Sequence, residues 1–190
     1  MAKDITPSRA GAAALVRYYL LRAGVAAAWV VAAFTIAPSN PILAGALLVL
    51  YPAWDAFANA RDAKVNGGFR ANAPQAINTA VSAATALAVL VALQIDLHLV
   101  LALFGAWAIL AGVLQLVVGI RRWRSYGAQW AMVLSGAQSA LAGGFFIKSA
   151  AGPIASVITV VAPYAAFGAF YFLVSAILLA LKSRRRAETA

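Results

Sequence analysis

Six apolar stretches, roughly 12–37, 42–60, 75–95, 97–120, 129–147 and 153–181, follow one another along the chain with only short polar breaks between them. Each supplies about the 20 residues that a helix needs to cross a hydrocarbon core ~30 Å thick. Within each stretch the apolar residues run on without the polar/apolar alternation of a membrane β-strand, so helices are expected and a barrel is not. The pattern therefore predicts an all-α, polytopic membrane protein with six transmembrane helices. The breaks alternate in character: those near 38–41, 96–98 and 149–153 are tight turns, whereas those after the second and fourth stretches are basic.

That alternation suggests three helical hairpins, at about 12–61, 75–122 and 129–182, as repeats within a single domain, followed by a basic tail at 183–190. A constant shift of 56 residues superposes the segments beginning at Arg22, Asn78 and Leu134, and brings the three turns near register. Every unit starts on the same side, which is a parallel repeat rather than the inverted repeat of many transporters. Small residues recur four apart in the fifth span, as Ser135, Ser139 and Gly143 with Gly136, Ala140 and Gly144 beside them, and in the fourth as Ala108 and Gly112. Such columns predict close helix packing in lipid. Pro52 and Pro163 fall inside spans two and six and are expected to kink them.

Fourteen of the fifteen Lys and Arg residues lie on one side of this arrangement: Lys3, Arg9, Arg17 and Arg22 first, then Arg61, Lys64 and Arg70, then Arg121, Arg122 and Arg124, and last Lys182, Arg184, Arg185 and Arg186. Lys148 is alone on the other. The positive-inside rule then places both termini in the cytoplasm. Arg17 and Arg22 interrupt the first stretch where a cleaved signal peptide would be uncharged. Tyr18, Tyr19, Trp123, Tyr126 and Trp130 sit where an inner aromatic belt is expected.

Composition agrees with this picture and narrows the chemistry. Of 190 residues, 64% are apolar and 11% charged, against about 45–50% apolar in soluble domains. With no Cys, a single His and five acids, the chain offers no thiolate, no evident metal site and little for a hydrolase, so neither enzyme activity nor a cofactor is expected. The net charge of +10 is spread over four segments that topology already explains, which argues against nucleic acid. It suits the bilayer itself as partner, with anionic lipid headgroups met by Arg121, Arg122, Arg124, Lys182, Arg184, Arg185 and Arg186.

Two charges lie deep. Arg22 is 16 residues before Pro38 and Asp55 is 14 after Pro41; at 1.5 Å of rise per residue they stand ~24 and ~21 Å from the same turn. An unpaired charge at such depth costs at least ~2.5–3.5 kcal/mol, so an Arg22–Asp55 salt bridge between spans one and two is predicted. Asn59, Asn78 and Gln115 fall at comparable depth and extend the pair into a polar seam. The pair is read as a helix lock, with a titratable or ion-binding site as the alternative. Asp96 and His98, at the opposite turn, form a candidate pH-sensitive surface pair.

The segments YYLLRAGVAAAWVVAAF and LLVLYPAWDAFANAR, with FGAWAILAGVLQLVVGIRRWR and WAMVLSGAQSALAGGFFI further on, resemble the HdeD-like acid-resistance membrane proteins. Arg22 and Asp55 match the family's charged positions in its first hairpin, while Ala23 and Ala56 stand where the family has glycine. The resemblance implies six spans from a short repeat, a bacterial inner-membrane location and an association with acid stress, and it brings no catalytic residues. The leading expectation is thus a non-enzymatic stress-response protein. The alternatives are a small proton or solute transporter or channel built on Asp55, and an accessory subunit; a homo-oligomer or a complex with another membrane protein is compatible with each.

Overall fold

The computed structural model describes residues 9–126 and 129–188, with side chains described for 11–123 and 129–185. Lys3 and Asp4 lie outside the described residues. Arg9, Arg124, Tyr126 and Arg186, named above for topology, the aromatic belt and headgroup contact, lie outside the described side chains. The elements are α1 (Arg9–Thr35), a 3-10 turn (Ala37–Ser39), α2 (Pro41–Val65), α3 (Ala73–Ala92), α4 (Leu97–Tyr126), α5 (Trp130–Ser149) and α6 (Val157–Glu188). All six α-helices are long and apolar enough to cross a membrane. Each helix mixes buried, half-buried and exposed positions, and large apolar side chains such as Val31, Leu50, Leu87 and Leu141 are exposed on the outside.

Local chemistry sets the helix ends. Asn40 caps α2 by accepting a hydrogen bond from Leu43 N at 3.0 Å, with Pro41 at the first helical position. At the other end of α2, Gly67 and Gly68 adopt φ of 98° and 86°, a conformation that side chains resist, and Gly68 N returns to Ala63 O at 2.8 Å. Asn72 then ties the loop by donating to the carbonyls of Asn66 and Gly68. The apolar pattern ends the second span near residue 60; α2 instead runs to Val65, carrying Asp62 into the bundle.

The most extensive helix contacts are α4 with α5, α1 with α6 and α2 with α3. By comparison with these tight pairs, α1 and α2, neighbours through a short turn, touch little. The α4–α5 seam explains the role of small residues. A Cβ on Gly112 would stand 2.6 Å from Gly136 O, and one on Gly143 only 2.5 Å from Gly105 O. The glycines that matter therefore recur seven apart on each helix, the spacing that keeps one face toward a partner. Gly144, in one of the four-residue columns, faces open space. Ser139, from the other column, donates to Ala108 O at 3.0 Å across the same seam.

Two apolar clusters close the bundle. At the end away from the basic loops, Trp29, Leu47, Val89, Phe104, Phe146 and Val161 belong to the main core. Nearer the basic end, Leu15, Tyr19, Met132, Phe172 and Leu179 join α1, α5 and α6. Tyr19 is 1% exposed and hydrogen-bonds Gln129 Oε1 at 3.1 Å, so it is a core residue and not part of an interfacial belt. A polar chamber lies beside these clusters, walled by all six helices.

Candidate functional site

One face of α2 organises the chamber. Asp55, Asn59, Asp62 and Asn66 recur at helical spacing, and each Asn folds back on the acid four residues before it. Asn59 Nδ2 donates to Asp55 O (2.8 Å) and Oδ2 (3.1 Å), and Asn66 Nδ2 to Asp62 O (2.8 Å) and Oδ1 (3.0 Å). The two acids form tiers seven residues, or about 10.5 Å, apart along the helix. Each tier is completed in the same way, by an amide from α3 and an arginine from a third helix.

In the first tier Arg22 Nη2 donates to Asp55 Oδ1, while Oδ2 accepts from Asn78 Nδ2 at 3.0 Å and Ser82 Oγ at 2.8 Å, in addition to Asn59. Trp107 Nε1 donates to Ser82 Oγ at 2.9 Å and extends the network to α4. The guanidinium of Arg22 also donates to Tyr18 OH at 3.1 Å and lies 4.3 Å from the Phe172 ring centroid. The carboxylate thus takes four side-chain donors, three of them on Oδ2. In the second tier Asp62 Oδ2 accepts from Arg122 Nη2 at 2.6 Å and Gln75 Nε2 at 3.1 Å.

These tiers revise three expectations. Arg22 and Asp55 are not the only deep charges, since Asp62 is 6% exposed. Arg122 is not a headgroup contact: its guanidinium is turned inward and its side chain is 14% exposed. The reason is that α2 continues past residue 60 and α4 past residue 120, so two charges assigned to loops are carried by helices that face each other. Gln115 does not join the seam around Asp55; it donates to Met132 O at 3.3 Å, toward α5. The structure brings Arg22, Asp55, Asn59 and Asn78 together. Arg121, Arg184 and Arg185 are exposed at the basic end, and Lys182 is half-buried there. The residues that sequence reasoning missed are Asp62, Gln75, Ser82 and the inward-facing Arg122. The repeated Asp-x-x-x-Asn of α2 was the available signal.

The chamber has a cavity volume of about 80 Å³. Arg22, Asp55, Asp62 and Arg122 are in its wall, and its far part is bounded by Tyr51, Trp107 and Tyr164. A second recess, formed by Asn72, Gln75, Val118, Arg121 and Arg122, adjoins it between α3 and α4 at the basic end. Gln75, Val118 and Arg122 are common to both, so this recess marks the mouth. Three buried polar atoms in the chamber wall have no hydrogen-bond partner: Arg22 Nε, Gln75 Oε1 and Asn78 Oδ1.

At the opposite end, His98 Nδ1 lies 2.9 Å from Asp96 Oδ1 and Nε2 lies 3.2 Å from Gly152 O, linking the α3–α4 and α5–α6 turns. Both partners are acceptors, so the ring satisfies both only when both nitrogens carry protons. The hydrogen bonds from the His98 ring and backbone N–H hold the Asp96 carboxyl below the usual carboxylate range.

Fold and site together define a multi-pass membrane protein with a charged chamber inside its helical bundle. A family profile described as a short repeat of unknown function (DUF308) matches residues 77–148. The match runs from α3 to α5 and so includes Asn78, Ser82, Trp107 and Arg122 but neither buried acid. No curated protein and no solved structure matches the chain.

Proposed function

We propose that this protein is a non-enzymatic, multi-pass protein of the bacterial inner membrane that contributes to survival of acid or related stress by receiving a small ligand in its chamber. The observation that carries this reading is a chamber walled by all six helices whose two buried carboxylates are each held by an arginine and by amide donors. Asp55 accepts from Arg22, Asn59, Asn78 and Ser82, and Asp62 from Arg122, Gln75 and Asn66. With four donors on Asp55 and three on Asp62, one of each set a guanidinium, both acids serve as fixed counter-charges to Arg22 and Arg122. What the chamber does offer is space, aromatic surface and unpartnered polar atoms. The stress assignment draws on the resemblance to HdeD-like proteins and on the matched short repeat, whose family includes them. The basic residues gathered at one end support cytoplasmic termini, with Arg121, Lys182, Arg184 and Arg185 placed to meet anionic headgroups.

The test has two arms. Purified protein in liposomes, with an internal pH dye and an imposed proton gradient, is expected to give the same flux as empty vesicles, with or without Asp55→Asn. Faster proton movement that disappears in Asp55→Asn would replace this reading with a proton-conducting transporter. In bacterial cells challenged with acid, expression is expected to raise survival. A chamber-filling Gly168→Leu chain, expressed to the same level, is expected to give no gain; equal protection by both chains would remove the chamber from the mechanism.

A further inference from the structure

We infer that the chamber takes an uncharged aromatic alcohol, a flat ring bearing a hydroxyl group of the phenol or hydroquinone class. This rests on the reading that the chamber holds a ligand, and it names the chemistry of that ligand.

The aromatic character of the wall comes first. Five of the six tyrosines in the chain, Tyr18, Tyr19, Tyr51, Tyr164 and Tyr171, line this one chamber. At its far part the rings of Tyr51, Trp107 and Tyr164 are mutually close to perpendicular. The Tyr51–Trp107 pair has centroids 5.6 Å apart at 82°, Tyr51–Tyr164 6.3 Å at 81°, and Trp107–Tyr164 6.3 Å at 80°. Rings prefer to meet others offset or edge to face, and a corner of three orthogonal rings offers a fourth ring both arrangements. Gly168 leaves space beside this corner, for a Cβ there would meet only the Tyr51 hydroxyl, at 3.6 Å.

Charge then narrows the class. The charged side chains of the wall form two complete pairs, Arg22 with Asp55 and Arg122 with Asp62. A charged ligand would leave water without an uncompensated partner in the chamber, which a low-dielectric site punishes. Arg121 carries an uncompensated charge at the mouth, but it is exposed and belongs to the aqueous or headgroup layer.

Hydrogen bonding supplies the hydroxyl. The three unpartnered wall atoms are one donor, Arg22 Nε, and two acceptors, Gln75 Oε1 and Asn78 Oδ1. Buried polar atoms are nearly always paired in a working structure, and a single group meeting the two first-tier atoms, Arg22 Nε and Asn78 Oδ1, must accept from one and donate to the other. A hydroxyl is the small uncharged group that both donates and accepts.

The experiment is equilibrium binding of radiolabelled 1-naphthol to the full chain in lipid nanodiscs, with empty nanodiscs as background. Unlabelled 1-naphthol, naphthalene, 1-naphthoate and 1-naphthylmethylammonium serve as competitors of one ring size. Saturable binding is expected, with the three other compounds displacing at least tenfold less well than 1-naphthol. Gly168→Leu is expected to weaken binding at least tenfold, and Gly144→Leu, on an open face, to leave it unchanged. Should Gly168→Leu prove unstable, photolabelling of the native chain with an aryl-azide phenol gives the same answer: label is expected on peptides carrying Tyr51, Trp107 or Tyr164. Displacement by the anion or the cation as good as by 1-naphthol would overturn the uncharged class while leaving the chamber a ligand site. Equal displacement by naphthalene would overturn the hydroxyl. Label found only elsewhere, or binding indifferent to a well-folded Gly168→Leu chain, would overturn the location, and no saturable 1-naphthol binding would overturn the inference outright.

Discussion

Replacing Arg122 by Met keeps most of the side chain's length and removes its charge, which isolates the second tier. In the native structure Arg122 Nη2 is 2.6 Å from Asp62 Oδ2, and the two side chains are only 14% and 5% exposed. Two unit charges ~4 Å apart attract by about 4 kcal/mol at an effective dielectric near 20. Much of that offsets the desolvation of the pair, so the pair as a whole adds little to stability. Losing one member is different, because the other stays buried without compensation; the cost is about 3–5 kcal/mol. Asp62 would retain Gln75 Nε2 at 3.1 Å and Asn66 Nδ2 at 3.0 Å, which places the expected loss near the low end, about 3 kcal/mol. Asp62→Asn combined with Arg122→Met removes both charges and should recover most of that loss, a coupling of about 2 kcal/mol or more. The assay is unfolding in mixed micelles, followed by tryptophan fluorescence, for the wild type, both single variants and the double variant. Arg121→Met serves as the exposed neighbour and is expected to change stability by less than about 0.5 kcal/mol. If Arg122→Met proves as mild as Arg121→Met, the guanidinium faces headgroups and the two-tier description fails.

Two further outcomes follow from geometry. Gly143→Ala puts a methyl 2.5 Å from Gly105 O and 2.8 Å from Ile109 N, both backbone atoms, so α4 and α5 must separate. The expected loss is about 1–3 kcal/mol in the same unfolding assay, whereas Gly144→Ala, which meets nothing within 4 Å, should be neutral or slightly stabilising. At the opposite end, the hydrogen bonds from His98 lower the Asp96 pKa, so their contribution is complete above the ordinary carboxylate value and is lost as pH falls through the lowered one. A carbon-detected NMR titration of Asp96 should move upward in His98→Ala, which keeps the backbone N–H; an unchanged midpoint would remove the His98 ring as a cause.

The class of molecule and its span plan follow from local composition alone. A helix in lipid must satisfy its own backbone and cover itself with apolar side chains, so number and rough limits of spans are written in local composition. All six stretches correspond to helices long and apolar enough to cross a bilayer. The Arg22–Asp55 contact was legible for a similar reason, since a short turn fixes the relative depth of two successive helices. The second tier was not legible. Asp62 and Arg122 lie 60 residues apart, and depth alone says nothing about which helix stands beside which. Likewise the α4–α5 glycines show a four-residue pattern in sequence, yet the backbone contacts select those seven apart, because the crossing of the two helices decides which column faces inward. The chamber is a purely tertiary property: its walls come from all six helices. Lipid makes every helix apolar on its outside and so erases the inward–outward contrast that marks a core in water. Where the helices meet is therefore decided by a few small, polar and charged side chains whose partners only the folded bundle brings within reach.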